Sequence, residues 1–170
     1  VAVKLQYPGA GAALQSDLRQ IARLARLLGA FAPGIDVKSL VAEMQERVVE
    51  ELDYSLEAEA QAIFADGFAD DPVIVIPRPL AHTEHALVSQ WLPGDRSLAD
   101  VVNDESQEER NRLAEAFVRF LFTGPSRVGL LHADPHPGNF RVLPDGRLGV
   151  VDFGAVARLP DGLPPVIGPL

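Results

Sequence analysis

Three side chains that end in oxygen or amide groups follow one another at short intervals in the last third of the chain. Asp134 and Asn139 lie five residues apart in the run HADPHPGN, and Asp152 follows thirteen residues later, where a strand-like segment leads into Asp-Phe-Gly. A magnesium-bound triphosphate needs oxygen ligands from two directions, for which Asn139 and Asp152 are the candidates. Asp134 would then orient the attacking nucleophile and accept its proton. The residue types and their order predict a phosphoryl-transfer site.

Prolines within the same run restrict its conformation. Pro135 and Pro137 fix φ and exclude a helix, so we expect the loop to be stiff before any ligand binds. His132 and His136 are four residues apart, a spacing that on a helix would favour zinc, but the prolines exclude that helix. An ordinary turn is an alternative interpretation of the run taken alone, because its residue types are common in turns. The Asp-Phe-Gly that follows a strand favours the phosphoryl-transfer site.

A lysine and a glutamate nearer the start of the chain are candidates for the phosphate end of the same site. Lys4 closes the run VAVK, which has the form of the strand lysine that binds α- and β-phosphates. Such a lysine needs a glutamate from a following helix, and Glu57 in ELDYSLEAEA is the candidate. On its own, a lysine at the end of a strand is more often simply solvated. A solvated helix face is the expectation for most other acidic residues here, namely Glu43, Glu46, Glu50 and Glu59.

Hydrophobic periodicity predicts the helices that would position these residues. Apolar residues spaced by four and three predict an amphipathic helix over residues 12–31, closed by a Pro-Gly pair. A second and longer helix is expected over residues 36–67, beginning at an aspartate N-cap. In that helix Asp53 precedes Glu57 by one turn and shares its face. A third helix is expected over residues 108–122, ending before a Gly-Pro pair.

Short apolar runs bounded by turn residues predict the strands. Residues 1–5 form the first strand, and the segments VIVIPRP and ALVSQWLPG are expected to be two strands paired with each other. The runs FRVL and RLGVVDFG flank Asp145-Gly146, which predicts a hairpin. Helices and strands in this arrangement indicate an α+β fold.

Composition and charge exclude several classes of function. The chain has no cysteine, so disulfides, thiolate metal sites and a cysteine nucleophile are excluded. The net charge of −9 is concentrated in residues 36–71, where eleven acidic residues are set against two basic ones. The rest is neutral overall and has no basic stripe of the kind that binds nucleic acid. No apolar run is long enough to cross a bilayer and the first residues carry no secretory pattern, so we expect neither a membrane span nor export.

Four segments, taken in order, resemble the motifs of one known family. VAVKLQYPG with Lys4, ELDYSLEAEA, HADPHPGNF and VVDFG are similar to those of the UbiB-type (AarF-type) atypical kinases, a branch of the protein-kinase-like fold linked to isoprenoid-quinone metabolism. The resemblance implies a two-lobed α+β fold, with a partial N-lobe over residues 1–92, a partial C-lobe over 93–159 and a Pro/Gly-rich tail over 160–170. The family's alanine-rich nucleotide loop and Lys-x-Gly-Gln motif would precede Lys4, so the chain is expected to be a fragment truncated at both ends.

The resemblance also implies a division of roles around ATP and Mg²⁺. Lys4 corresponds to the lysine that contacts phosphate, Glu57 to its ion-pair partner and Asp134 to the catalytic-loop aspartate. Asn139 and Asp152 correspond to the metal ligands. The other positions that match the family are the nucleotide-binding candidates Gln90 and Leu92, the Glu-x-Asp motif of Glu51 and Asp53, and the loop histidines His132 and His136.

By the same resemblance, the expected function is that of an ATP-dependent phosphotransferase or ATPase in quinone or lipid metabolism. Its expected partners are ATP and a lipid or quinone precursor, and not nucleic acid. The expected location is the cytoplasm, in peripheral contact with the inner face of a membrane.

Two alternatives stay open from the sequence. His136, two residues after Asp134, resembles small-molecule kinases of the aminoglycoside and choline kinase type, although the Glu-x-Asp motif and the arginine-bearing first helix argue against them. The second alternative is a catalytically inert nucleotide-binding or scaffold fragment that contacts lipid or a partner through Arg19, Arg23 and Arg26. Ordinary solvation of that arginine face is the simpler interpretation.

Overall fold

The computed structural model describes residues 1–29, 39, 41, 42, 44 and 52–163. The helices that lie wholly within the described ranges are α1 (Ala10–Gly29), α2 (Tyr54–Gly67), α3 (Leu98–Asp104) and α4 (Gln107–Val128). A 3₁₀ turn covers Pro137–Asn139. The strands are β1 (Ala2–Leu5), β2 (Ile74–Val75), β3 (Pro79–Thr83), β4 (Ala86–Ser89), β5 (Arg96–Ser97), β6 (Leu130–His132), β7 (Phe140–Val142), β8 (Leu148–Val150) and β9 (Val156–Arg158).

Three strands form a small antiparallel sheet in the order β1-β4-β3. The side chain of Gln6, just after β1, donates a hydrogen bond to the Leu52 carbonyl over 3.2 Å. The Tyr54 amide donates to the carbonyl of Glu84, in the turn between β3 and β4, over 3.1 Å. These two bonds fix the start of α2 to the end of this sheet.

Helix α2, which carries Glu57, starts later than predicted. Asp53 has extended backbone angles (φ −98°, ψ 97°) and its carboxylate accepts a hydrogen bond from the Ser55 amide over 2.9 Å, so it is the N-cap. The prediction of one continuous helix over residues 36–67 is therefore wrong, and Asp53 does not share a helical face with Glu57. An aspartate side chain competes for backbone amides, which favours a cap even where the apolar spacing continues. The end predicted for the first helix, residue 31, lies outside the described residues.

Helix α4 runs further than the predicted residues 108–122. It continues through the Gly-Pro pair to Val128 and is followed by the C-cap Gly129, whose φ of 68° lies in the left-handed region that favours glycine. A Cβ on Gly124 would lie 2.8 Å from the Leu130 carbonyl oxygen and 3.2 Å from the Phe64 ring. Gly124 is therefore required for the close approach of α4 to β6 and α2, and it does not end the helix.

A second sheet has the order β2-β8-β7-β5. The predicted hairpin is present, because β7 and β8 pair antiparallel and Gly146 adopts a φ of 83° in the turn. Strand β2 lies parallel to β8, with Ile74 opposite Leu148, whereas β4 pairs with β3, which begins at Pro79. The prediction that VIVIPRP pairs with ALVSQWLPG is therefore wrong for its first half.

Asp71 makes several polar contacts at the start of β2. Its carboxylate accepts hydrogen bonds from the Val73 and Ile74 amides over 2.9 and 3.0 Å. The same carboxylate binds Arg119 and Arg127 of α4 over 2.6 and 2.7 Å. Burial opposes the charged form, but the amides and the arginines outweigh it, so the pKa of Asp71 is lowered. Asp71 thus ties the residues around β2 to α4.

We expect Asp71→Asn to lower the free energy of unfolding by about 3 kcal/mol, because it removes the charge that two partly buried arginines share. Urea denaturation at neutral pH measures the loss, and Asp70→Asn, an exposed neighbour, is the matched control. A carboxyl with a lowered folded-state pKa stabilises the fold above its ordinary pKa. The difference between wild type and Asp71→Asn should therefore shrink as the pH falls through the folded-state pKa, and a difference that persists in acid would contradict this explanation.

Aromatic side chains join α2 to the second half of the chain. The Phe64 ring lies 5.6 Å from the Phe120 ring of α4 and 5.2 Å from the Phe153 ring, measured between centroids. All three side chains are buried, and buried phenylalanines contribute both apolar area and ring contacts. Helix α2 is therefore held at its start by the first sheet and along its length by this core, which fixes the position of Glu57.

Candidate active site

Two loops that carry candidate residues leave the same pair of strands. β6 and β9 are antiparallel, with His132 opposite Val156, and the Ala133 amide continues the pairing by donating to the Ala155 carbonyl over 2.9 Å. The HADPHPGN run follows β6 and Asp-Phe-Gly precedes β9, so the pairing brings the two loops together. The sequence did not predict it, because each strand has only three residues and the two are far apart along the chain.

Asp134 and Asn139 contact each other directly within the first loop. The Asn139 side-chain nitrogen donates to the Asp134 carboxylate over 2.8 Å and to its carbonyl over 3.3 Å. The amide nitrogen is thus engaged, which leaves the amide oxygen as the Asn139 atom suited to a cation. The Asn139 carbonyl accepts a hydrogen bond from the Val151 amide over 3.0 Å. The residue before Asp152 is thereby attached to this loop.

Asp152 lies between the loop and Lys4. One of its carboxylate oxygens accepts a hydrogen bond from the Gly154 amide over 3.0 Å, and the other lies 3.5 Å from the Lys4 ammonium. A Cβ on Gly154 would lie 3.3 Å from Asp152 Oδ1 and 3.6 Å from Glu57 Oε2. The glycine of Asp-Phe-Gly therefore packs against two carboxylates, where any side chain would push one of them aside.

Lys4 and Glu57, 53 residues apart, form a bidentate ion pair. The ammonium donates to the two Glu57 oxygens over 2.9 and 2.7 Å, and it lies 5.1 Å from the Tyr54 ring centroid, a cation–π distance. Burial raises the pKa of Glu57, and the Lys4 charge offsets only part of this effect. Burial also opposes the charged form of Lys4, but the hydrogen bond and charge of Glu57 outweigh it and raise the pKa of Lys4. The ammonium is therefore held charged at the site.

The two loop histidines have different surroundings. His132 is 3% exposed, and its Nε2 lies 2.6 Å from the Asp152 carbonyl oxygen. A carbonyl only accepts, so Nε2 carries the proton, and burial lowers the pKa of His132. His136 is exposed, and its Nδ1 accepts a hydrogen bond from the Gly138 amide over 3.1 Å at the start of the 3₁₀ turn. His132 therefore packs beneath Asp152, whereas His136 caps the turn.

The side chains at this place suit a magnesium ion that also binds phosphate. Within the part of the chain that the structure describes, no group of three or more His, Cys, Asp or Glu residues stands ready to hold a metal. Magnesium sites of nucleotide-binding proteins commonly use only one or two protein oxygens, with phosphate and water completing the shell. The Asn139 amide oxygen and the Asp152 carboxylate, drawn together through Val151, fit that pattern.

A cavity of about 430 Å³ extends from Lys4 between the two sheets. Its size lies in the range of small-molecule sites. Gln90 and Leu92, whose role in nucleotide binding stays a prediction, belong to the linker after β4, and both contribute to the wall. Trp91 between them is 65% exposed. The full lining is Ala2, Lys4, Glu57, Gln61, Pro77, Leu87, Ser89, Gln90, Trp91, Leu92, Gly94, Asp95, Arg141 and Val151.

Sequence reasoning missed several of these lining residues. Gln61 is 1% exposed and its amide nitrogen donates to the Pro77 carbonyl over 2.6 Å and to Ser89 Oγ over 3.1 Å. It follows Glu57 by four residues in α2, so the helical repeat could have placed it beside the site. No sequence signal identified Ser89 or Arg141, because their role depends on which face of a strand meets the cavity.

The remaining candidates lie away from the cavity or outside the described residues. Glu51 lies outside them, and Asp53 is the N-cap of α2. Arg19 and Arg23 are exposed on α1, and the side chain of Arg26 lies outside the description. The structure therefore brings together Lys4, Glu57, Asp134, Asn139, Asp152 and His132. Gln90 and Leu92 line the same cavity as Lys4 and Glu57.

Comparison with known proteins gives consistent matches along the whole chain. Residues 1–163 match the ABC1 atypical kinase-like domain. The Arabidopsis thaliana chloroplast protein ACTIVITY OF BC1 COMPLEX KINASE 1 is 34% identical over 164 residues, which cover 94% of this chain and 24% of the relative. An uncharacterised chloroplast aarF domain-containing protein kinase of the same plant is 35% identical over 159 residues, covering 91% of this chain and 22% of the relative.

A solved structure is similar over nearly the whole chain. The complex of Rv3197 with erythromycin from Mycobacterium tuberculosis has a TM-score of 0.88 and 41% sequence identity, covering 98% of this chain and 42% of that one. The chain thus spans about a quarter of the length of the plant relatives and less than half of the mycobacterial one. None of the helices in the described ranges is long and apolar enough to span a membrane.

Proposed function

The chain belongs to the ABC1 atypical kinase-like family, and from that premise we propose that it binds Mg-ATP in the cavity between the two sheets and activates the γ-phosphoryl group. Membership confirms the predicted resemblance to the UbiB-type, AarF-type kinases, and with it the mixed helix-and-sheet, protein-kinase-like fold. The observation that carries the proposal is the series of contacts that joins the Lys4–Glu57 pair, which lines the cavity, to Asp152 and, through Val151, to the Asp134–Asn139 pair.

Each residue of this cluster would have one task. Lys4, held charged by Glu57, would contact the α- and β-phosphates, and the linker residues Gln90 and Leu92 would bind the nucleotide at the other end. Asn139 and Asp152 would hold Mg²⁺, which would neutralise part of the charge on the phosphates. Asp134 would accept the proton of the attacking hydroxyl as the new oxygen–phosphorus bond forms. The bond between the γ-phosphorus and the β–γ bridging oxygen then breaks, and ADP leaves.

The phosphoryl acceptor is a separate question, because this chain covers only 24% of the plant relative and 42% of the mycobacterial one. We propose a small apolar molecule of the lipid or quinone-precursor class, encountered from the cytoplasm at the inner surface of a membrane. His136 at the turn next to Asp134 resembles small-molecule kinases, and the mycobacterial relative was solved with erythromycin, itself a small molecule. Both observations favour a small acceptor or effector over a protein.

We expect Mg-ATP to raise the thermal unfolding temperature of the wild-type protein, and ATP with a chelator to raise it less. Lys4→Ala should weaken Mg-ATP binding by about 10- to 100-fold, because it removes a charged hydrogen-bond donor to phosphate. Arg147→Ala, which changes an exposed arginine in the β7–β8 hairpin, is the matched control. Equal affinity in Lys4→Ala would remove Lys4 from the site, and no stabilisation of the wild type by Mg-ATP would favour the inert fragment.

The acceptor class has its own measurement. Radiolabelled γ-phosphate from ATP can be followed into free phosphate or into the organic phase, with and without vesicles that carry an isoprenoid-quinone precursor. Label in the organic phase would identify a lipid kinase, and vesicle-stimulated release of free phosphate would identify a lipid-coupled ATPase. Parallel reactions with erythromycin test a macrolide, and insensitivity to every addition would contradict the proposed acceptor class.

A further inference from the structure

Arg141 occupies a position in the cavity that neither the motifs nor the ATP proposal assigns. It is the middle residue of β7, and its neighbours Phe140 and Val142 are 0% and 6% exposed in the core. Successive side chains of a strand point to opposite faces, so Arg141 points away from the core. On that side it lines the cavity, together with Val151 of the segment after β8.

Two glycines allow the linker after β4 to approach this strand closely. Gly149 lies opposite Arg141 in the register of β7 and β8, and a Cβ on it would lie 2.8 Å from Leu92 Cδ1. A Cβ on Gly94 would lie 2.9 Å from the Cβ of Arg141. The linker after β4 therefore lies directly against the second sheet, and the stem of Arg141 is fixed beside that linker.

The two sides of the cavity near the linker differ in chemistry. Ala2 and Leu87 of the first sheet line one side of the cavity, and Arg141 and Val151 line the side formed by the second sheet. Lys4 binds Glu57 at the phosphate end. A flat ring that enters beside the linker would therefore be covered by the apolar side chains of Ala2 and Leu87 on one face and by the arginine on the other.

The guanidinium group of Arg141 has a planar, weakly hydrated surface that such a ring could cover. Among the described residues, the structure records no hydrogen bond or ion pair for it. The pKa of Asp100 is lowered chiefly by hydrogen bonds from Ser97, and the charge of Arg141 adds to this effect. One carboxylate oxygen of Asp100 accepts hydrogen bonds from the Ser97 amide and hydroxyl over 2.8 Å each. Arginine at a cavity wall commonly stacks on an aromatic plane, a role that lysine does not fill equally well.

We propose that Arg141 is a nucleotide-binding residue whose guanidinium group stacks on the purine base. The proposal rests on the ATP site proposed above and adds a contact that a phosphate-binding motif does not supply. Because Arg141 lies beside the linker, it would contact the base of ATP, whereas Lys4 would contact the phosphates.

The test compares two ligands that differ only in the base. Trp91 is the only tryptophan of the chain and lines the cavity, so its fluorescence reports binding of ATP and of ribose 5′-triphosphate, each with Mg²⁺. Arg141→Ala should bind ATP about 5- to 30-fold more weakly, while its affinity for ribose 5′-triphosphate stays at the wild-type value. Arg141→Lys should lie between Arg141→Ala and wild type for ATP. Arg147→Ala should match wild type for both ligands.

Each other outcome overturns a defined part of the proposal. An equal loss for both ligands would place Arg141 at the phosphates, and no loss for either would make it a solvated arginine. If the wild type bound neither ligand, the ATP site itself would be wrong, which separates this failure from a failure of the stacking contact. Thermal unfolding without ligand checks that the variants fold, and Arg141→Lys, which keeps the stem and the charge, decides the question should Arg141→Ala not fold.

Discussion

Asp134→Asn should lower the turnover of ATP by about 10²- to 10⁴-fold and leave the affinity for Mg-ATP within a few-fold of wild type. The asparagine oxygen can still accept the hydrogen bond that the Asn139 side chain donates over 2.8 Å, so the loop is expected to keep its shape. An amide cannot take the proton of the attacking hydroxyl at neutral pH. The loss therefore falls on the chemical step and not on nucleotide binding.

Single-turnover measurement of γ-phosphoryl release, alongside Trp91 fluorescence titration with Mg-ATP, separates the two effects. Asp145→Asn is the matched control, because Asp145 is an exposed aspartate whose partner Arg147 lies in the β7–β8 turn. If binding fell as far as turnover in Asp134→Asn, Asp134 would belong with the metal ligands. Unchanged turnover would exclude it as the proton acceptor.

The sequence predicted the Lys4–Glu57 ion pair better than it predicted the boundaries of the elements between the motifs. Lys4 and Glu57 are 53 residues apart and nonetheless form the ion pair expected from their residue types. Their meeting depends on long-range contacts, such as the bond from Gln6 to Leu52, which local sequence does not specify. Residue type therefore predicted the Lys4–Glu57 contact, and the sheet that aligns β1 with α2 decided its geometry.

The incorrect boundaries have local causes that compete with periodicity. At Asp53 the side chain binds the Ser55 amide, which starts a helix inside an apolar repeat that continues on both sides. At Gly124 the missing side chain serves the packing of Phe64 against α4, so a residue that often ends helices lies inside one. Strand β2 has only two residues, so its own pattern is too short to identify the strand that it pairs with.

The position of Arg141 in the cavity could not be predicted from local sequence either. Nothing in the run FRVL distinguishes an arginine that faces solvent from one that faces a ligand. Only the register that places it opposite Gly149, and the contact of its Cβ with the linker at Gly94, assign it to the cavity. A cavity-lining residue on a strand can be identified only when the face that it occupies and the residues packed against that face are both known.

Asp152→Asn should abolish the dependence of ATP binding on magnesium and lower turnover by about 10²- to 10³-fold. The variant oxygen can still accept the Gly154 amide that Asp152 now binds over 3.0 Å, and the Lys4–Glu57 pair is untouched. The substitution removes the negative charge of the carboxylate, which lies 3.5 Å from the Lys4 ammonium. That carboxylate is the stronger of the two candidate magnesium ligands, because the other is a neutral amide oxygen. Titration of ATP with Mg²⁺ or with a chelator measures the difference.

The contrast between the two aspartates is the strongest test of their separate tasks, because both changes remove one charge from the same cluster. Asp152→Asn should lose the tightening of ATP binding by Mg²⁺, whereas Asp134→Asn should keep it. Asp161→Asn, an exposed aspartate after β9, controls for a general change in surface charge. If Mg²⁺ still strengthened ATP binding to Asp152→Asn as it does for wild type, the metal would have to be held elsewhere, and the pairing of Asn139 with Asp152 would be structural. The loss in one variant and its retention in the other would place the metal on the Asp152 side of the site and the acceptor on the Asp134 side.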